Sequence, residues 1–311
     1  MHGRRCERGL DSSCDFSASN AEYMCAKEVR CWLTKQQSMK VVAVCGQSDA
    51  RSEAADRLVS RLENEGSVGV ITRGEASGPR ASERSRKADT CREYELTDDG
   101  WRGAGESMSL DGALSELAPH CSYAVVEGFE NPDLPVVVVG DRSVSGGTLL
   151  ASAPSGQALD VDEVCEKLDA VDQFETLESL VAAVEQAEDQ DKAGAIATFT
   201  GRVREKEDED DAATEYLEFE RYDGIAAEKM AEIQTELEDR DGVYRVLLHH
   251  RTGVIEASED IVFVVVLAGH RPEAFATVED GIDRLKAEVP LFKKEVTVEG
   301  TFWAHQHDHE H

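Results

Sequence analysis

The sequence predicts two domains of different class: an α/β domain built on a parallel sheet, followed by an α+β domain. Three observations carry that prediction. The chain has 311 residues, enough for two ordinary domains. In its first half, short apolar runs alternate with helical patterns, the order that parallel sheets require. In its second half, strands follow one another without strict alternation, and two long helices interrupt them.

Lys40 to Cys45 is a run of buried-strand type that ends at Gly46. Ala54, Ala55, Leu58, Val59 and Leu62 follow at helical spacing and stop at Gly66. Val68 to Thr72 is a second short strand, and residues 73–92, rich in Arg, Ser and Gly, are expected to be a loop. A helix over 111–118 ends near Pro119, and Tyr123 to Val126 and Pro135 to Val139 are further buried strands. Residues 144–157, mostly Ser, Gly and Ala with Pro154, are expected to be loop again. A short helix from Val161 to Leu168 closes the first domain, 39–169.

The second domain, 170–303, opens with a helix over 175–187 and a polar stretch from Glu188 to Lys192. A strand over 194–200, an acidic loop over 205–213 and a strand over 215–220 follow. Then come a helix over 224–238, strands over 243–249 and 260–268, a long helix over 272–288 and a last strand over 293–299. The long helix breaks before Pro290, since proline cannot continue it. Its predicted apolar face is Ala274, Phe275, Val278, Ile282, Leu285 and Val289, and Lys286 stands at the rim of that face.

Acidic residues number 64 against 33 basic ones, a formal net charge of -31. Such a charge repels phosphate backbones, so nucleic acid is not an expected partner. Asp and Glu spread evenly over folded segments suit a protein kept soluble in high salt. The longest apolar run, Ile261 to Gly269, has nine residues, too short to cross a membrane. A cytoplasmic protein is therefore expected. The first 38 residues carry six basic and five acidic side chains and four of the eight cysteines, Cys6, Cys14, Cys25 and Cys31. Everything after them holds the whole acidic excess. Met39 is followed at once by a strand, so 1–38 reads as an extension outside the natural protein. No C-x-x-C occurs, and no metal site is expected. The alternating His305, His307, His309 and His311 could capture metal, but a tail lacks preorganisation, and an adventitious or solubilising role is expected.

Within an acidic second domain, a few cations stand at element ends. Arg202 and Arg204 follow a strand, His249, His250 and Arg251 end another, and His270 and Arg271 end a third. Lys286 lies in the last turn of the long helix, and Lys293 and Lys294 open the final strand. Cations at such positions suit an anionic substrate, because Arg and Lys give charge-assisted hydrogen bonds to phosphate. Residue chemistry alone reaches a phosphate-bearing substrate and lysine assistance.

These residues also carry a resemblance. Gly194-Ala-Ile-Ala-Thr-Phe-Thr-Gly-Arg-Val-Arg204 resembles the opening of the molybdopterin synthase large subunit, the MoaE type. Leu217-Glu-Phe-Glu-Arg-Tyr222, His250-Arg-Thr-Gly253 and Gly269-His-Arg-Pro-Glu-Ala-Phe275 match its next motifs in order. Leu285-Lys286, Pro290-Leu-Phe-Lys-Lys-Glu295 and Gly300-Thr-Phe-Trp303 match the last ones. Phe292 stands where the family usually has Trp. The resemblance implies a hammerhead-type α+β fold, a homodimer within a heterotetramer, and conversion of cyclic pyranopterin monophosphate to molybdopterin. It implies that sulfur comes from the C-terminal Gly-Gly thiocarboxylate of a small ubiquitin-like carrier subunit, and that no cofactor is needed. By motif match it makes Lys286 and Lys293 catalytic and lines the substrate pocket with Phe199, Arg204, His270 and Arg271.

Residues 39–142 resemble the MobB-type adaptor of molybdopterin-guanine dinucleotide biosynthesis, which has a phosphate-binding P-loop. Val125-Val-Glu-Gly-Phe129 matches its strand ending in E-G-F. The loop departs from the pattern: Gly46-Gln-Ser-Asp-Ala-Arg-Ser52 has Ala50 for glycine and Arg51 for lysine. Alanine does not take glycine's conformations cheaply, and Arg is a bulkier, forked cation. Gly46, Arg51 and Ser52 are the candidate nucleotide residues, and a scaffold without GTP hydrolysis is expected. The alternative is a nucleotide-binding adaptor for molybdopterin-guanine dinucleotide formation.

Overall fold

A computed structural model describes residues 38–74, 92–97, 100–105, 107–129, 134–144, 147–206, 208, 211–221, 224–298 and 300–304. The expected extension 1–38 (all but Ser38), most of the 73–92 loop and the histidine tail lie outside them.

The first domain runs β1 (Lys40–Gly46), α1 (Ser48–Leu62), β2 (Val68–Thr72), β3 (Arg92–Thr97), β4 (Gly100–Gly105), α2 (Leu110–Leu117), β5 (Tyr123–Glu127), β6 (Val136–Val139), β7 (Leu149–Ala153) and α3 (Val161–Leu168). Five strands form one parallel sheet in the order β2-β5-β1-β6-β7. Val42 and Val44 pack with Ala54, Leu58 and Leu62 of α1, while Val41, Ala43 and Cys45 pack with Leu114 of α2. Both faces of β1 are covered, which is why Val41 to Cys45 are apolar in succession instead of alternating.

One element departs from expectation. The 144–157 segment contains β7, paired with β6 and burying Leu150 and Ala153. As an edge strand of small residues it carries little β signal. Strands β3 and β4 pair antiparallel, with Tyr94 and Leu96 exposed.

The second domain runs α4 (Leu177–Val184), β8 (Ala195–Arg202), β9 (Thr214–Arg221), α5 (Ile225–Glu238), β10 (Val243–His250), β11 (Gly253–Glu256), β12 (Asp260–Ala268), α6 (Arg271–Glu288), β13 (Leu291–Thr297) and β14 (Gly300–Ala304). Strands β11 and β14 are additional to the expected elements, and β13 starts two residues before the expected 293. Two antiparallel sheets result, β10-β12-β8 and β11-β9-β13-β14. Helices α5 and α6 cover one face of the first sheet and α4 the other, so Ile261 to Ala268 of β12 is buried on both sides. Gly281 lets α6 lie close to β12: a Cβ there would stand 3.2 Å from Cγ1 of Val264. The buried face of α6 is Ala274, Thr277, Gly281, Ile282 and Leu285. Phe275, expected on that face, is 65% exposed, because the helix turns it away from the stripe centred on Gly281.

The two domains meet through residues 170–176. Phe174 N–H donates to the Met39 carbonyl at 2.7 Å, and Val171 and Phe174 pack on the cores of the parallel sheet. Thr252 Oγ1 donates to Asp172 Oδ2 at 3.1 Å from the other side. Glu175 is buried at this seam and accepts from Ser179 Oγ at 2.6 Å, and burial raises its carboxyl pKa above the ordinary value. Among the described residues, no helix is long and apolar enough to cross a membrane.

Candidate functional site

The candidate nucleotide residues lie at the carboxyl ends of the parallel strands, where ligands of open α/β sheets bind. Their geometry is not that of a phosphate cradle. Helix α1 begins at Ser48, directly after the Gln47 cap, so Arg51 and Ser52 stand inside the helix. Ser52 Oγ donates to Glu127 Oε2 at 3.2 Å, Thr72 Oγ1 donates to Glu127 Oε1 at 3.2 Å, and Arg51 Nε lies 3.8 Å from Glu127 Oε2. The groups expected to meet a phosphate meet an internal carboxylate. Gly46 has its own packing reason: a Cβ there would stand 2.5 Å from the Val139 carbonyl oxygen.

In the second domain, strand direction decides which cations meet. Arg202 of β8 pairs with Asp260 of β12, and His250 of β10 pairs with Val262. The ends of β8 and β10 and the start of β12 therefore share one edge of the sheet. Helix α6 runs back along β12: Glu273, in its first turn, lies near Gly242 at the opposite edge, and Gly281 lies over Val264. Its last turn, with Lys286, thus returns to the edge that holds Arg204, His250 and Arg251. Lys286 and Arg204 are exposed there. Among the described residues, no acid lies within ion-pair distance of Lys286.

Chain continuity brings Lys293 to the same edge through Val289 and Pro290. Lys293 pairs with Phe219 of β9, and Lys294 with Glu218. Successive side chains point to opposite faces of a strand. Accordingly Lys293 shares a face with Glu295, whose Oε2 lies 3.5 Å from its Nζ, while Lys294 donates to Glu218 Oε2 at 2.7 Å. That hydrogen bond holds the Lys294 ammonium above its ordinary pKa. Thr214 Oγ1 donates to Glu295 Oε1 at 2.6 Å and holds the carboxylate in place.

Phe199 is half-buried on β8 and packs against the core cluster to which Leu285, Val289 and Leu291 belong. The glycine two residues on has a steric reason: a Cβ at Gly201 would stand 2.5 Å from Val262 Cγ1 and 3.4 Å from the Phe199 ring. His270 and Arg271 are not part of this gathering. They cap and open α6, which is 18 residues long, and are exposed at its far end. At 1.5 Å per residue, Arg271 and Lys286 are roughly 22 Å apart along the axis, farther than the two side chains together can reach.

Two residues outside the predicted site stand close to it. Glu295 was legible through its two-residue spacing from Lys293. His250 is 5% exposed, its Nδ1 lies 2.7 Å from the Arg251 carbonyl oxygen, and its ring meets that of Phe219 edge-on at 4.8 Å. Gly253 follows with φ +82°, a turn conformation that favours glycine.

The chain matches known proteins along most of its length. Residues 172–288 match the family model described as MoaE protein. A probable molybdopterin synthase from Haloferax volcanii is 48% identical over 251 residues, covering 80% of this chain and 94% of that one. A match of that length cannot fit within 172–311 and runs well into the first domain. The molybdopterin synthase catalytic subunit of Pyrococcus abyssi is 40% identical over 110 residues, covering 35% of this chain and 73% of its own. Among solved structures, molybdopterin synthase from Staphylococcus aureus is 36% identical, covers 37% of this chain and 82% of its own, and has a TM-score of 0.35.

Proposed function

The chain belongs to the MoaE family of molybdopterin synthase catalytic subunits, and from that premise we propose that sulfur transfer takes place at the edge where Arg204, Lys286 and Lys293 gather. The activity is that of a molybdopterin synthase, in molybdenum cofactor biosynthesis. The observation that supports the reading is the course of α6 back towards the Arg204 edge, after which the chain leads through Pro290 into the β13 strand that bears Lys293.

The substrate is cyclic pyranopterin monophosphate, whose phosphate Arg204 and Lys286 meet at an exposed edge. Phe199 gives the pterin an apolar wall, and Lys293, steadied by Glu295, carries protons as sulfur moves. The donor is the thiocarboxylated Gly-Gly tail of a small ubiquitin-like carrier: its sulfur bonds to the substrate, and water then cleaves the acyl–sulfur bond, so that the carrier leaves as a carboxylate. The product holds two sulfurs, so two carriers act in turn. His270 and Arg271 join the pocket from a second copy of the chain, which makes the assembly a homodimer within a heterotetramer; the length of α6 is what supports that reading.

For the first domain, 39–169, we propose a scaffold with a degenerate P-loop and no GTP hydrolysis, because Glu127 engages Arg51 and Ser52 from within. The catalytic domain is 170–303, and the acidic surface suits high salt. Purified whole chain mixed with thiocarboxylated carrier and cyclic pyranopterin monophosphate is expected to yield molybdopterin. Absence of product with carrier thiocarboxylate intact overturns the assignment.

A further inference from the structure

We infer that His250 is a positioning residue that sets the place of Lys293 relative to Lys286. This rests on the reading of those lysines given above.

The two lysines belong to different layers. Lys286 is carried by α6, which packs on the β10-β12-β8 sheet, whereas Lys293 stands in the β11-β9-β13-β14 sheet. Their mutual placement therefore depends on how the sheets are joined. Val203 and Ile261 from one side and Leu217, Phe219 and Ile255 from the other make a small apolar cluster between them. Apolar contact of that kind is non-directional. The His250 ring, from β10, adds a directional contact, meeting Phe219 edge-on at 4.8 Å with 69° between the ring planes. Phe219 is the direct antiparallel neighbour of Lys293, so their Cβ atoms share a face at about 4.5–5.5 Å.

The imidazole is fixed in turn. A carbonyl oxygen only accepts, so the 2.7 Å contact to Arg251 means that Nδ1 carries the proton and donates. The turn it holds is anchored twice more: Arg251 Nη1 donates to the Asp260 carbonyl at 3.0 Å, and Thr252 donates to Asp172 in the interdomain linker. The chain of contacts runs from the seam between domains, through the His250 ring, to the residue opposite Lys293.

The test uses the whole chain with two variants that isolate the ring. His250→Phe keeps an aromatic ring beneath Phe219, and His250→Asn keeps a donor for the Arg251 carbonyl without the ring. In single-turnover sulfur transfer, with folding checked by melting, His250→Asn is expected to lose roughly 10- to 100-fold in rate with KM little changed, as slight misplacement of a reacting group does. His250→Phe is expected to keep most of the rate. Amine labelling followed by mass spectrometry should show the Lys293 rate altered in His250→Asn and unaltered in His250→Phe, with Lys294 unaltered in both. A wild-type rate in His250→Asn, or an equal loss in both variants, overturns the inference. Lys293→Ala runs alongside: full turnover in that variant sinks the reading of the lysines themselves and leaves the two failures distinguishable.

Discussion

The two domains place their cations in opposite ways. At the carboxyl edge of the parallel sheet, Arg51 faces Glu127, and Ser52 and Thr72 donate to the same carboxylate. At the lysine edge of the second domain, Lys286 is exposed and has no acid within ion-pair distance among the described residues. An incoming phosphate would have to displace Glu127 from the first site, whereas it adds to the second. Both edges contain the residue types that bind phosphate, and the difference lies in whether the protein has already supplied the anion. Motif chemistry alone therefore does not make a phosphate site.

The sharpest way to break this contrast is inside the lysine edge. Lys293→Ala is expected to lower sulfur transfer by about 10²–10⁴-fold, the usual range for a group that moves protons in the reaction. Lys294→Ala should stay near wild type, because its ion pair with Glu218 is partly exposed and such pairs contribute little. Equal damage in well-folded Lys294→Ala would mean that the strand faces are assigned wrongly. A smaller effect is expected behind the edge. Gly281→Val overfills the α6–β12 contact and should cost about 1–3 kcal/mol by chemical denaturation. An unchanged midpoint would show that α6 can move away freely.

The smallest effect concerns the seam. Burial raises the Glu175 pKa above the ordinary value of 4.5, so the folded chain holds that proton more tightly than the unfolded one. The associated stability is complete below about pH 4.5 and is lost as pH rises through the folded value. Glutamine mimics the protonated form. Glu175→Gln should thus stabilise the protein by on the order of 1 kcal/mol at about pH 8 and change nothing at about pH 4. A destabilised variant at high pH would mean that the carboxylate is paired and useful there.

Much of this was legible in the sequence, for identifiable reasons. Strands buried on both faces, such as β1 and β12, declare themselves as continuous apolar runs. The motifs of the catalytic domain pair chemically rare residues with steric ones, and Phe199 with Gly201 shows why: the ring and the close strand leave no room for a side chain between them. Strand β7 was missed because small edge residues give no pattern. The separation of His270 and Arg271 from Lys286 was not legible, since adjacency in a motif list says nothing about the two ends of a helix. Nor could the sequence indicate that Glu127 would turn toward Arg51, because that contact joins positions far apart in the chain.

The most direct test compares the two edges side by side in single-turnover sulfur transfer from a thiocarboxylated carrier to cyclic pyranopterin monophosphate, using whole chains of wild type, Glu127→Gln and Lys286→Ala. Wild type and Glu127→Gln are expected to form molybdopterin at matching rates, and Lys286→Ala to fall at least about 100-fold. Full turnover by Lys286→Ala together with a loss in Glu127→Gln would contradict the account and move the chemistry to the other domain.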